Sequence, residues 1–176
     1  LSDSYISVIE AIKHAAWHEN LKPEIHWLNA EDYEHVKTPS TLARYDGVIV
    51  PGGFGARGVE GKIKAIKYLR ENKIPYFGLC YGLQLAVVEF ARNVCGLKNA
   101  HTTEVSPETP YPFIHTMADQ VEKIKTKALG GSMRLGAYTC KLTKGTNAFR
   151  AYHAGLISER HRHRYEVNNE YRAALE

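Results

Sequence analysis

The 176-residue chain has no apolar run approaching the length that crosses a bilayer, so a membrane-spanning helix is not expected. Its opening, LSDSYISVIEA, lacks signal-peptide anatomy, which makes a cytoplasmic protein the default expectation. Cysteine is scarce. Cys80, Cys95 and Cys140 are an odd set without C-x-x-C spacing, which argues against a disulfide framework and against a structural zinc site. A Walker A pattern is missing, so ATP chemistry is not expected within these residues. Internal repeats and low-complexity linkers are also missing, and the length suits one domain with a hydrophobic core. Acidic residues are slightly outnumbered, giving a formal charge of +4, yet no nucleic-acid recognition module accompanies the excess. Much of it comes from Glu159-Arg160-His161-Arg162-His163-Arg164. In an extended segment, Arg160, Arg162 and Arg164 would share a side suited to a carboxylate or phosphate.

What is present is an alternation of helical and strand patterns. Asp3 or Ser4 can cap a helix running through about His18, with Ile6, Ile9, Ile12 or Lys13, and Ala16 near helical spacing. Glu24–Asn29 reads as a strand, and 30–45 as a loop with a short helix. Tyr45–Pro51 reads as a buried strand, Lys62–Asn72 as an amphipathic helix and Ile74–Leu79 as a second strand. A further helix runs from about Tyr81 to Val94 and ends near Gly96. This order implies an α/β fold with a mostly parallel sheet covered by helices on both faces. Beyond residue 100 the pattern weakens. Ile114–Lys125 is ambiguous, Gly130–Gly136 reads as a turn or loop, and Ala137–Leu142 and Tyr165–Asn168 read as strands.

The most informative stretch is Ile74–Gln84, IPYFGLCYGLQ. Gly78-Leu79-Cys80-Tyr81-Gly82 sets a thiol between glycines where a strand becomes a helix, the cysteine counterpart of a nucleophile elbow. Leu83, Val87, Phe90 and Val94 form a stripe that can hold this elbow against a sheet. A buried, inert cysteine is the bland alternative. Gly53-Phe54-Gly55-Ala56-Arg57-Gly58 matches the dinucleotide pattern G-x-G-x-x-G, but the acidic residue expected at the end of the next strand is replaced by Cys80. Adjacent parallel strands would instead bring the Gly52–Gly53 backbone beside Cys80. There its N–H groups can face a developing oxyanion.

Four blocks, PGGFGARGVEGKI (51–63), GLCYGLQ (78–84), GGSMRLG (130–136) and ERHRHRYEVN (159–168), together resemble the class-I, triad-type glutamine amidotransferase domain of CTP synthase. The resemblance implies a flavodoxin-like fold and hydrolysis of L-glutamine through a cysteine thioester. The ammonia released would serve ATP-dependent amination of UTP to CTP. Matched by motif, Cys80 is the nucleophile, and the backbone of Gly53 and Tyr81 forms the oxyanion hole. Gly52, Gly53, Tyr81, Gly82, Leu83, Gln84, Glu104 and Arg162 contact substrate. A carboxylate at Glu104 suits the substrate α-ammonium and a guanidinium at Arg162 its α-carboxylate. Arg134 falls in the loop associated with GTP activation. No metal or cofactor is implied for this domain. ATP, Mg²⁺ and UTP belong to a synthetase domain of the same protein that these residues do not include. The full-length family is homotetrameric through that domain, and a monomer is compatible with this domain alone.

Three departures qualify the resemblance. Tyr81-Gly82-Leu83 stands where the family usually has Leu-Gly-Met, which would put a phenol at the mouth of the site. The family domain begins with a strand before the first helix, and this sequence opens at that helix. The His-Pro-Glu motif that completes the family triad does not occur here, so these residues alone are expected to be a poor glutaminase. The helix following Cys80 is expected to lower its pKa. Another cysteine hydrolase of the same fold, such as a γ-glutamyl hydrolase, and a non-catalytic nucleotide-binding module are the competing readings.

Overall fold

The computed structural model describes residues 2–116 and 134–176, which fall into two compact units. The first comprises Leu1–Ile114 and Asn168–Glu176, the second His115–Val167.

In the first unit a 3₁₀ turn, Ser2–Tyr5, leads into α1 (Ile6–His18). Its N-cap is Tyr5 rather than Asp3 or Ser4, because the extra turn moves both polar residues out of capping position. Glu24–Asn29 is not a strand. The segment is mostly exposed and engages no ladder partner among the described residues, and extended backbone without a neighbour is not a sheet. Residues 30–45 hold two 3₁₀ turns, Ala30–Tyr33 and Ser40–Arg44. Then come β1 (Val48–Val50), α2 (Val59–Glu71), β2 (Tyr76–Gly78) and α3 (Tyr81–Asn93). The predicted boundaries hold to within a few residues.

β1 and β2 are parallel and in register, Val48 opposite Tyr76, Ile49 opposite Phe77 and Val50 opposite Gly78. Alternation sends Val48 and Tyr76 into a core of Leu42, Ala65 and Leu69, while Ile49 and Phe77 stand exposed on the other face. α2 also lies against the 3₁₀ turn at Ala30. A Cβ on Gly61 would sit 1.8 Å from Ala30 O, so only glycine allows this approach. The α3 stripe differs from the expectation. Leu83 and Val94 are exposed, and the helix buries Tyr81, Gly82, Gln84, Leu85, Val88, Glu89 and Ala91 instead. Gly82 must meet the sheet, and that contact rotates the helix to the stripe beside the one read from hydropathy. Glu89 is buried and takes a two-pronged contact from Arg70 (Nη2–Oε1 2.9 Å, Nε–Oε2 3.0 Å), tying α2 to α3. Past Gly96 (φ +75°), β3 (Ala100–Thr102) runs parallel to the start of β4 (Tyr111–Thr116). Ala91, Ala100 and Phe113 form a second core, with Tyr171 stacked on Phe113 at 4.2 Å between centroids. Tyr171 ends a 3₁₀ turn leading into the short helix Arg172–Leu175.

The second unit is built on an antiparallel ribbon of β5 (Arg134–Lys141) and β6 (Leu156–His163). Its register runs from Arg134 opposite His163 to Lys141 opposite Leu156. Arg134, Leu135 and Gly136 therefore belong to a strand, not to the loop expected over 130–136, because each pairs with a residue of β6. The remainder of that loop, and most of Ile114–Lys125, lie outside the described residues. The connection contains the helix Asn147–Tyr152, capped by Thr146, whose hydroxyl accepts from Phe149 N–H at 3.2 Å. β7 (Tyr165–Val167) follows and matches its expectation.

Candidate active site

Cys80 is the second of the two residues, Leu79 and Cys80, that turn the chain from β2 into α3. It is the N-cap of α3, with φ 51° and ψ −102°. That is a conformation L-residues rarely adopt, costing about 1–3 kcal/mol. Two close approaches enforce it. A Cβ on Gly78 would lie 2.6 Å from Leu83 N, and one on Gly82 would lie 2.0 Å from Val50 O. The strand and helix are in direct backbone contact, and Cys80 between them must project outward. Cys80 is exposed, as the nucleophile-elbow reading requires.

Parallel pairing of β1 with β2 brings the loop after β1 to the same edge. A Cβ on Gly52 would meet Cys80 Cβ at 3.5 Å, and one on Gly53 would meet Tyr81 Cδ1 at 3.6 Å. The glycine loop and the thiol are thus neighbours, as the sequence implied. Glu104, in the turn after β3, also reaches this loop and accepts from Gly55 N–H at 2.8 Å. Its turn is set by Thr102, whose hydroxyl accepts from Glu104 N–H at 3.2 Å. Gln84 is buried on the first turn of α3, its N–H bonded to Cys80 O at 3.1 Å.

Tyr81 is placed differently from the expectation of a phenol at the mouth. Its side chain is 1 % exposed and runs beneath the glycine loop, where the hydroxyl donates to Gly55 O at 2.5 Å. The apolar ring fills space under glycines that have no side chains of their own. Tyr5, which nothing in the sequence singles out, donates to Gly52 O at 3.1 Å across 47 positions. Gly55 and Lys62 were likewise missed. The Lys62 ammonium lies 5.6 Å from the centre of the Tyr81 ring.

The electrostatics also differ. Although the tip of Cys80 reaches solvent, the walls of the site push its thiol pKa up. A hydrogen bond from Tyr81 N–H to the sulfur lowers it, and the Glu104 carboxylate raises it further. Desolvation outweighs the Tyr81 N–H, so the direction is opposite to the one expected.

Arg162 lies on β6 of the second unit, exposed, and on the same face of the ribbon as Arg160. Arg164 follows the end of the strand, so the three arginines do not form one continuous row; its Nε is buried without a hydrogen-bond partner. The opposite face of β6 pairs His161 Nδ1 with His163 Nε2 at 3.0 Å. Leu83 is an exposed residue of α3, and only the backbone of Arg134 is described. Among the described residues no group of three or more His, Cys, Asp or Glu could hold a metal ion, and no helix is long and apolar enough to cross a membrane.

Residues 1–175 match the family Glutamine amidotransferase class-I. The chain belongs to the class-I glutamine amidotransferases. It is 53% identical over 175 residues to a CTP synthase of Clostridium acetobutylicum, covering 99% of this chain and 32% of the relative. It is 55% identical over 176 residues to a CTP synthase of Pyrococcus furiosus, covering 100% and 32%. The chain thus spans about a third of the length of these curated relatives. A solved structure of the glutaminase domain of Trypanosoma brucei CTPS with bound acivicin superposes with a TM-score of 0.87 at 35% identity, covering 98% of this chain and 66% of that one.

Proposed function

We propose that the chain is the glutamine-hydrolysing domain of a CTP synthase, with Cys80 as the nucleophile. The observation that carries this reading is the strained, outward-facing Cys80 with the Gly52–Gly53 backbone against it and Glu104 anchored to the same loop. The thiolate adds to the γ-carboxamide carbon of L-glutamine, and the developing oxyanion is received by the N–H groups of Gly53 and Tyr81. Collapse of that intermediate forms a glutamyl thioester, and the thiol proton ends on the departing ammonia. Water then releases glutamate and restores the thiol. Glu104 receives the substrate α-ammonium and Arg162 its α-carboxylate, while Gly82, Leu83 and Gln84 complete the binding surface. Burial raises the Cys80 pKa and so opposes formation of the thiolate, while the Tyr81 N–H at the sulfur favours it.

In the whole protein the ammonia would pass to a synthetase part that uses ATP and Mg²⁺ to aminate UTP, with GTP activating through the region of Arg134 and tetramers forming through the synthetase parts. No Walker A loop occurs in the sequence, and no step of the hydrolysis runs through ATP or Mg²⁺. The test is treatment with acivicin followed by peptide mass spectrometry. One adduct is expected, on the Cys80 peptide and not on Cys95 or Cys140, suppressed by L-glutamine and lost in Cys80→Ala. An adduct indifferent to glutamine, or none, would overturn the proposal.

A further inference from the structure

The loop that presents Gly53 has little to hold it. Phe54 is 87% exposed, and Gly55 has φ +77° with nothing within 4 Å of where a Cβ would lie. Glycine-rich backbone of this kind has many accessible conformations, and an oxyanion donor is useful only at one angle. Two phenols bracket it. Tyr5 donates to Gly52 O at 3.1 Å, and Tyr81 donates to Gly55 O at 2.5 Å. Gly55 is then fixed at both of its polar groups, since its N–H donates to Glu104 at 2.8 Å.

We propose that the Tyr81 hydroxyl is a positioning group for glutamine hydrolysis, a clasp that holds the loop so that Gly53 N–H meets the oxyanion while Glu104 meets the α-ammonium. This rests on the glutaminase reading above. One residue thereby serves the site twice. The N–H of Tyr81 is directed to the Cys80 sulfur, and its side chain reaches back to orient the opposite donor. The ring is buried against the position of Gly53 and lies under the Lys62 ammonium, so the hydroxyl cannot swing away without emptying a packed space.

The experiment compares two thiol reagents on the full chain. A chloromethyl ketone analogue of glutamine alkylates Cys80 by displacement of chloride, and its ketone oxygen uses the oxyanion donors on the way. Iodoacetamide displaces iodide at the same sulfur without needing those donors. In Tyr81→Phe, the ketone should react about 3- to 10-fold more slowly, the range expected for one hydroxyl hydrogen bond. The iodoacetamide rate should stay within about 2-fold of the parent, below that effect. Tyr76→Phe removes a hydroxyl bond of the same kind, to Gly82 O at 2.8 Å, and should leave the ratio of the two rates unchanged. Equal ketone rates in Tyr81→Phe and the parent, equal slowing with both reagents, or the same ratio change in Tyr76→Phe would each overturn the clasp. A parent protein that does not react with the ketone at all would overturn the glutaminase reading and the clasp with it.

Discussion

The corner at Cys80 and the ribbon of β5 and β6 each carry residues proposed above to bind or attack glutamine, but they hold them by opposite means. At the corner, backbone meets backbone. Gly82 rests on Val50 O, Gly78 on the start of α3, and Tyr81, Leu85 and Val88 are buried around them. On the ribbon no position from Leu135 to His163 within the two strands is buried, and Arg160 and Arg162 are displayed from an exposed ladder. A nucleophile must sit at one angle to its electrophile, whereas a guanidinium gripping a carboxylate tolerates adjustment along its flexible stem. Rigid packing is concentrated where the chemistry requires direction.

The sharpest way to break this contrast is to add one methyl group on each side. Gly82→Ala drives a Cβ into Val50 O, a backbone atom that cannot move aside, and is expected to cost about 3 kcal/mol or more with loss of Cys80 labelling. Gly136→Ala, on the ribbon, meets nothing within 4 Å and only its φ of +104° resists, so about 1–2 kcal/mol is expected. Urea denaturation of both variants measures the difference, and comparable losses would show the corner to be no tighter than the ribbon.

A smaller effect of opposite sign should come from Cys80→Gly. Glycine relieves the strain at φ 51°, ψ −102°, and after its own entropic cost a net gain of about 1 kcal/mol is expected. Cys80→Ala keeps the strain and should show no such gain in the same denaturation experiment.

The smallest effect concerns charge. The negative Glu104 disfavours the Cys80 thiolate, so Glu104→Gln should lower the thiol pKa. Iodoacetamide alkylation followed from pH 6 to 10 should therefore reach its midpoint at a lower pH than in the parent. Protection by L-glutamine should weaken in the same variant, separating the two roles of the carboxylate.

The corner was legible from sequence because its determinants are local: a thiol between two glycines, a strand before it and a helix after. The pairing of β1 with β2 followed from the same alternation, and it placed Gly52 and Gly53 at the thiol. What escaped depended on distance in the chain or on competition between similar patterns. Nothing near Tyr5 marks it as a partner for Gly52, 47 positions away. α3 carries two adjacent stripes, and the contact of Gly82 with Val50, not hydropathy, chose between them. Tyr81 looked like a surface phenol because a leucine usually stands there; its burial depends on the empty volume beneath glycines. The thiol pKa was misjudged because a helix N-terminus is visible in sequence and desolvation is not.

Val50 O accepts the N–H of Leu79 at 2.9 Å and lies directly beneath the Cα of Gly82. One carbonyl thus joins the end of β1, the end of β2 and the first turn of α3. Fraying of a loop cannot release the turn at Cys80, since the amide before it is locked into the sheet and the glycine after it is seated on the same atom. The thiol proposed as the nucleophile is therefore expected to open only together with β1, β2 and α3, its flanking amides sharing their protection from hydrogen exchange.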